Sequence, residues 1–89
     1  MPDVTIYTTG FCHFCFHAKK LLESKSVSYK EIDVDMVPGA RNEMQQRANG
    51  GYTVPQIFFG ERHIGGCEEL YALDEQQQLD PLLTLAAEG

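Results

Sequence analysis

Polar and apolar positions change rhythm several times along this chain, and each change marks an element. Val4, Ile6 and Thr8 share one face of a β-branched and aromatic run that ends at Gly10, which predicts a strand over Val4–Thr8 followed by a turn. From His13 to about Lys25 the apolar residues Phe14, Ala18, Leu21 and Leu22 fall at i, i+4, i+7 and i+8, with Lys19, Lys20 and Glu23 on the other side. That is the stripe of an amphipathic helix. Val27 to Val34 reads as a second strand. A helix then begins at about Gly39, just after Pro38, and stops at Asn49-Gly50-Gly51. A strand–helix–strand opening predicts a parallel, right-handed unit.

The second half has a different character. Val54 to Phe59 is a strongly apolar strand, Gly60-Glu61 a tight turn, and Arg62 to Ile64 a short returning edge, so a hairpin is expected. Gly65-Gly66 introduces a helix around Cys67 to Leu73. After the polar Gln76-Gln77-Gln78 connection, Leu79, Leu82, Leu83 and Ala86 mark a final helical face. The order is β-α-β-α-β-β-α with a terminal helical segment, an α/β protein. Its 89 residues are expected to form one domain, 1–89, with a compact core.

Composition narrows the function more than the fold. At 43% hydrophobic and 22% charged residues the chain is an ordinary folded protein, so disorder is a poor explanation. A net charge of -6, with the basic residues scattered among acids, excludes a clustered basic face for nucleic acid. No stretch approaches the ~20 apolar residues of a membrane span. The opening Met1-Pro2-Asp3-Val4 lacks the basic and apolar regions of a secretory leader, so the expected location is the cytoplasm. Three cysteines are too few for a secreted disulfide framework, and two of them form Cys12-His13-Phe14-Cys15. In a reducing compartment such a pair points to redox work or metal binding.

The placement of that motif, at a helix N-terminus after a strand, favours redox work. A cysteine nucleophile acts as thiolate, and at a free pKa of about 8.5 only about 3% is ionised at neutral pH. A three-unit drop requires roughly 4 kcal/mol of selective stabilisation, while a helix dipole supplies at best about 2. The unpaired N–H groups of the first turn, the Cys15 thiol and the candidate cations His13 and Lys19 can contribute the rest. Cys12 benefits most and is the expected nucleophile. Cys15, three residues on and deeper in the helix, is the expected resolving thiol. The competing reading is a structural pair or half a zinc site, with His13, His17, His63 and Cys67 as extra ligands. Zinc sites usually repeat a ligand pair; with neither a second C-x-x-C nor an H-x-x-x-H expected beside the motif, no metal site is expected. The histidines read as surface residues, Cys67 as a small buried one, Met36 as loop, and Met44 and Phe58-Phe59 as core.

With the strand-then-Cys-x-x-Cys opening, Thr53-Val54-Pro55 and Gly65-Gly66-Cys67 in this order, the chain resembles the glutaredoxin family over nearly its whole length. The resemblance implies a thioredoxin-like fold, a central four-stranded mixed sheet flanked by helices. With strands numbered along the chain, the implied order is β2-β1-β3-β4. It also implies a cis Pro55 and a dithiol enzyme that reduces protein disulfides and protein–glutathione mixed disulfides, with glutathione as co-substrate rather than a permanently bound cofactor. The implied glutathione contacts are Phe14, Arg47, Thr53, Val54, Pro55, Gly66, Cys67, Glu68 and Glu69. Of these, the Val54 backbone pairs with the tripeptide and Gly66 to Glu69 hold its γ-glutamyl end. Arg47 meets the glycyl carboxylate, with Gln56 as a second candidate. The implied partners are glutathione and disulfide-bearing or glutathionylated proteins, acting on a monomer.

Departures from the family pattern are Thr9 for a frequent lysine, His13 for proline, Phe14 for tyrosine and Glu69 for aspartate. His13 is a pH-dependent candidate to replace the missing lysine charge. Two other readings stand beside the main one. The first is an electron donor reduced by thioredoxin reductase. The second is an iron–sulfur cluster-binding module in which two chains share a cluster through Cys12 and two glutathiones. The bulky Phe14 and the second cysteine favour the dithiol enzyme.

Overall fold

The computed structural model describes residues 3–88. Its elements are β1 (Val4–Thr8), α1 (His13–Ser24), β2 (Lys30–Asp33), α2 (Ala40–Arg47), β3 (Gln56–Phe59), β4 (Arg62–Gly65), α3 (Cys67–Glu75) and α4 (Leu79–Glu88). The strands form one sheet in the order β2-β1-β3-β4. β1 pairs parallel with β2 and antiparallel with β3, and β4 closes the hairpin antiparallel to β3. The thioredoxin-like expectation is met.

Successive strand side chains point to opposite faces, so the two central strands build two cores at once. Val4 and Ile6 of β1 and Ile57 and Phe59 of β3 meet Ala18, Leu21 and Leu22 of α1, Leu70 of α3, and Leu79 and Leu83 of α4. Tyr7 and Phe58 turn the other way, onto Val34 and onto Ala40, Met44 and Ala48 at α2. Burial on both faces explains why β3 reads as a continuous apolar run rather than an alternation. The Tyr7 and Phe58 rings meet edge to face, with centroids 5.7 Å apart. Met44 is fully buried and Met36 is exposed, as the sequence implies.

Three helices end in the same way. Ser26, Asn49 and Gln77 follow α1, α2 and α3 with φ of 58°, 55° and 61°. After α1, the Val27 and Ser26 amides donate to Leu22 and Glu23 carbonyls at 3.2 and 2.9 Å. After α2, Gly50 donates to Gln45 and Asn49 to Gln46; after α3, Gln78 donates to Leu73 and Gln77 to Asp74. Each is a Schellman motif, which satisfies the last carbonyls of its helix.

The first of these motifs explains a shortfall in β2. The Val27 amide belongs to the end of α1, and the ladder to β1 pairs only Lys30–Asp33 with Thr5–Thr8. Val27 and Tyr29 still pack against the core on the way in. β3 likewise starts at Gln56 rather than Val54, because Pro55 has no N–H for the ladder. The Val54–Pro55 bond is cis, as the family resemblance implies. β1 runs toward the end of the sheet where this proline lies, β3 starts there and β4 returns to it. Three connections therefore converge: 9–12, 48–55 and 65–66.

Candidate active site

Cys12 is the N-cap of α1, with extended backbone at φ -145° and ψ 107°. Its sulfur accepts the Cys15 amide at 3.1 Å, and its carbonyl accepts the Phe16 amide at 3.1 Å. The Cys15 amide is one of the first-turn donors that a helix cannot satisfy internally, and it points at the sulfur; the Phe16 amide makes the first intrahelical bond. Cys12 and Cys15 are joined as a disulfide, with Cα atoms 5.1 Å apart. The pair is asymmetric: Cys12 is partly open to solvent, whereas Cys15 is 1% exposed and packed beneath it. Only Cys12 can be approached from outside.

The cis-proline connection lies against that sulfur. The Val54 carbonyl oxygen is 3.7 Å from the Cys12 Sγ, which fixes the Thr53-Val54-Pro55 backbone beside the nucleophile position. Behind it, Gly66 at the N-cap of α3 is tightly placed, since an added Cβ would stand 3.3 Å from the Pro55 carbonyl oxygen and 3.4 Å from Glu69 Oε1. Gly65 adopts φ +118°, a left-handed value that suits glycine, and Glu69 packs over it. The sequence-predicted residues Cys12, Cys15, Val54, Pro55 and Gly66 are thus brought together at one end of the sheet.

Other predicted site residues have structural partners of their own. Glu69 Oε1 accepts the Gly66 amide at 2.6 Å, the side-chain half of a capping box whose other half glycine cannot supply. Cys67, the first helical residue of α3, is buried in the main core, and burial, followed by the Glu69 charge, pushes its thiol up from the ordinary value. Arg47 donates to the Tyr7 hydroxyl and to the Gly60 carbonyl, each at 3.0 Å, and lies 4.2 Å over the Phe58 ring. Gly60 is at the opposite end of the hairpin from Pro55, whereas Tyr7 pairs in register with Gln56 next to it, so both guanidinium bonds are made within the fold. Phe14 and Glu68 are exposed, as is Thr53. Lys19, a sequence-level candidate for the thiolate's cation, is instead bonded to Glu31 at 3.0 Å.

Gln56, the second candidate for the glycyl carboxylate, has its side-chain amide engaged within the fold. Its side chain is buried rather than offered to a ligand. Nε2 donates to Thr53 Oγ1 at 3.3 Å, and Oε1 accepts from His63 Nε2 at 2.6 Å. His63 in turn stacks on Phe58 with centroids 4.9 Å apart. The chain of contacts runs from the hairpin to the cis-proline connection. Because Thr53 Oγ1 is used as an acceptor from behind, its O–H is left to donate outward. The expectation that no H-x-x-x-H accompanies the motif is wrong: His13-Phe14-Cys15-Phe16-His17 has that spacing on α1, and the two rings stand 5.5 Å apart. No cluster of three or more metal-ligating side chains occurs among the described residues.

Comparison with known proteins agrees with this arrangement. The Glutaredoxin family model matches residues 4–64, from β1 through the sulfur pair and the cis-proline connection into β4. The chain is 49% identical over 84 residues to the Glutaredoxin of Pseudomonas aeruginosa, covering 94% of this chain and 99% of that protein. It is 52% identical over 83 residues to Glutaredoxin 3 of Escherichia coli K12, covering 93% and 99%. Among solved structures, a buckwheat glutaredoxin–glutathione complex superposes with a TM-score of 0.88 at 27% identity, over 97% of this chain and 80% of that one. The solution structure of Glutaredoxin from Brucella melitensis gives 0.79 at 49% identity, over 93% and 89%. With its accessible and buried cysteines at a helix start and a cis proline beside them, the chain belongs to the glutaredoxin family, as a dithiol, glutathione-dependent disulfide oxidoreductase.

Proposed function

We propose that this chain reduces protein disulfides and protein–glutathione mixed disulfides in the cytoplasm, as a monomer, with Cys12 as nucleophile and Cys15 as resolving thiol. The observation that carries the assignment is the asymmetry of the pair: one sulfur open and accepting the first-turn amide of Cys15, the other buried below it. The Cys15 amide favours the Cys12 thiolate over the thiol, because it bonds to the anion more strongly.

On a glutathionylated protein, the Cys12 thiolate attacks the glutathione sulfur. The Cys12–glutathione bond forms, the protein–glutathione bond breaks, and the protein leaves as thiolate, which takes a proton from water. A second glutathione thiolate then attacks the glutathione sulfur on Cys12, releasing oxidised glutathione and restoring the Cys12 thiolate. On a protein disulfide, Cys12 forms a mixed disulfide with one protein sulfur and releases the other. Cys15 then attacks the Cys12 sulfur, frees the reduced protein and leaves the Cys12–Cys15 disulfide, which two glutathiones reduce.

The glutathione groove in this reading runs over the cis-proline connection. The Val54 backbone pairs with the tripeptide as an added strand, and the outward Thr53 hydroxyl donates to it. The α3 N-terminus at Gly66, Cys67 and Glu68 takes the γ-glutamyl carboxylate. Glu69 keeps Oε1 on the Gly66 amide and offers Oε2 to the amino group. Phe14 and Pro55 line the apolar side. Arg47 reaches the glycyl end only by giving up its bonds to Tyr7 and Gly60, so it is the weakest contributor of the set.

Turnover of a small glutathione mixed disulfide, coupled to glutathione reductase, tests the assignment. Cys12→Ser is expected to abolish turnover, whereas Cys15→Ser retains it and loses reduction of protein disulfides. Native activity that responds to thioredoxin reductase and not to glutathione, or a coloured cluster-bearing dimer inactive in this assay, would overturn it.

A further inference from the structure

Two histidines project from the exposed side of α1, immediately after the redox sulfur. His13 and His17 are separated by one helical turn, and their ring centroids lie 5.5 Å apart with the planes inclined at 69°. Both residues are exposed, and among the described residues no side-chain hydrogen bond engages either ring. The His17 carbonyl accepts from Tyr71, which pins the backbone of this turn to α3 and leaves the imidazole free.

An ion bound by two imidazole nitrogens at about 2.0–2.1 Å lies about 3 Å from each ring centre, so near-tetrahedral chelation sets the centroids roughly 5 Å apart. The pair already stands close to that spacing, and side-chain rotation alone can complete it. We infer that His13 and His17 form an open two-imidazole site for a transition-metal dication: Cu2+, Ni2+ or Zn2+. Imidazole donors suit these ions, whereas Mg2+ and Ca2+ require sets of oxygen ligands.

No third histidine, cysteine or carboxylate converges on the pair among the described residues, so the remaining positions belong to water or an exchangeable ligand. A shallow, open depression lined by Gly10, Phe11, Cys12, His13 and Phe16 lies beside the first of the two rings. A bound ion would therefore put two positive charges and exchangeable coordination positions at the edge of the open surface next to the redox sulfur. Both ligands belong to one helix, and neither is a cysteine. The site is thus present in the disulfide form, where Cys12 and Cys15 cannot ligate.

Calorimetric titration of the oxidised full chain with Ni2+ tests this directly. The native protein is expected to bind one Ni2+ per chain at micromolar concentration, with Cu2+ tighter and Mg2+ not binding. His17→Gln, on an exposed face, is expected to weaken Ni2+ at least tenfold and to lose the rise in melting temperature that Ni2+ gives the native chain. Absence of Ni2+ binding below millimolar concentration, equal affinity in native and His17→Gln proteins, or competition by Mg2+ would overturn the inference.

Discussion

Single side chains here do several jobs at once, and Gln56 shows the cost of that. It is 5% exposed, and both ends of its amide are bonded, one to Thr53 and one to His63. Gln56→Leu keeps the volume and removes both bonds, but Thr53 and His63 are exposed and can turn to water, so a loss of about 0.5–1 kcal/mol is expected in urea unfolding. An unchanged midpoint would show that water replaces the amide freely. Glu31 is a second junction, accepting from Thr8 at 2.8 Å and from Lys19 at 3.0 Å on one oxygen. Burial alone would push its carboxyl up, but the hydrogen bonds from Lys19 and Thr8, with the Lys19 charge, hold it below the usual carboxylate range. Its contribution is therefore present above the unfolded value of about 4.3 and is lost as pH falls through the lower folded value. Since the pair is partly exposed, the effect is at most about 1 kcal/mol. Glu31→Gln is expected to flatten the acid limb of a stability–pH profile, and an identical limb in both proteins would contradict this.

At the scale of elements, the helix ends carry a testable weakness. Ser26 and Gln77 occupy left-handed positions that glycine tolerates best, whereas Asn49 is better suited to its own. Ser26→Gly and Gln77→Gly are each expected to raise stability by about 0.5–1 kcal/mol, and Asn49→Gly by less, in denaturant unfolding. Destabilisation by either of the first two would mean that their side chains make contacts outweighing the backbone strain. These ends also mark what the sequence displays and what it conceals. The stop after α2 is visible because Asn49-Gly50-Gly51 is a left-handed sequence by composition. The stops at Ser26 and Gln77 carry no such mark, and the amide of Val27 is therefore read into a strand it does not join. Buried strands, amphipathic helices and the Gly65-Gly66 entry into α3 are all visible, because periodicity and backbone freedom are local properties.

For the molecule as a whole, the two-faced sheet does the positioning. It carries Cys12 to one end on β1, brings Pro55 there at the start of β3 and returns Gly66 there at the end of β4. The sulfur pair was readable from four residues, because thiol chemistry, spacing and a helix start coincide in them. The use of Arg47 on Tyr7 and Gly60, of Gln56 on Thr53 and His63, and of Lys19 on Glu31 was not. Each joins positions separated by the fold, and a charge or an amide in sequence does not name its partner. The central claim is that only the outer sulfur meets substrate. The most direct measurement is peptide mapping of the adduct formed when Cys15→Ser and Cys12→Ser chains are each mixed with a glutathionylated protein. Glutathione is expected on Cys12 of the first variant and no adduct on the second, with Cys67 unmodified in both. Glutathione found on Cys15 or Cys67, or none on Cys12, would contradict it.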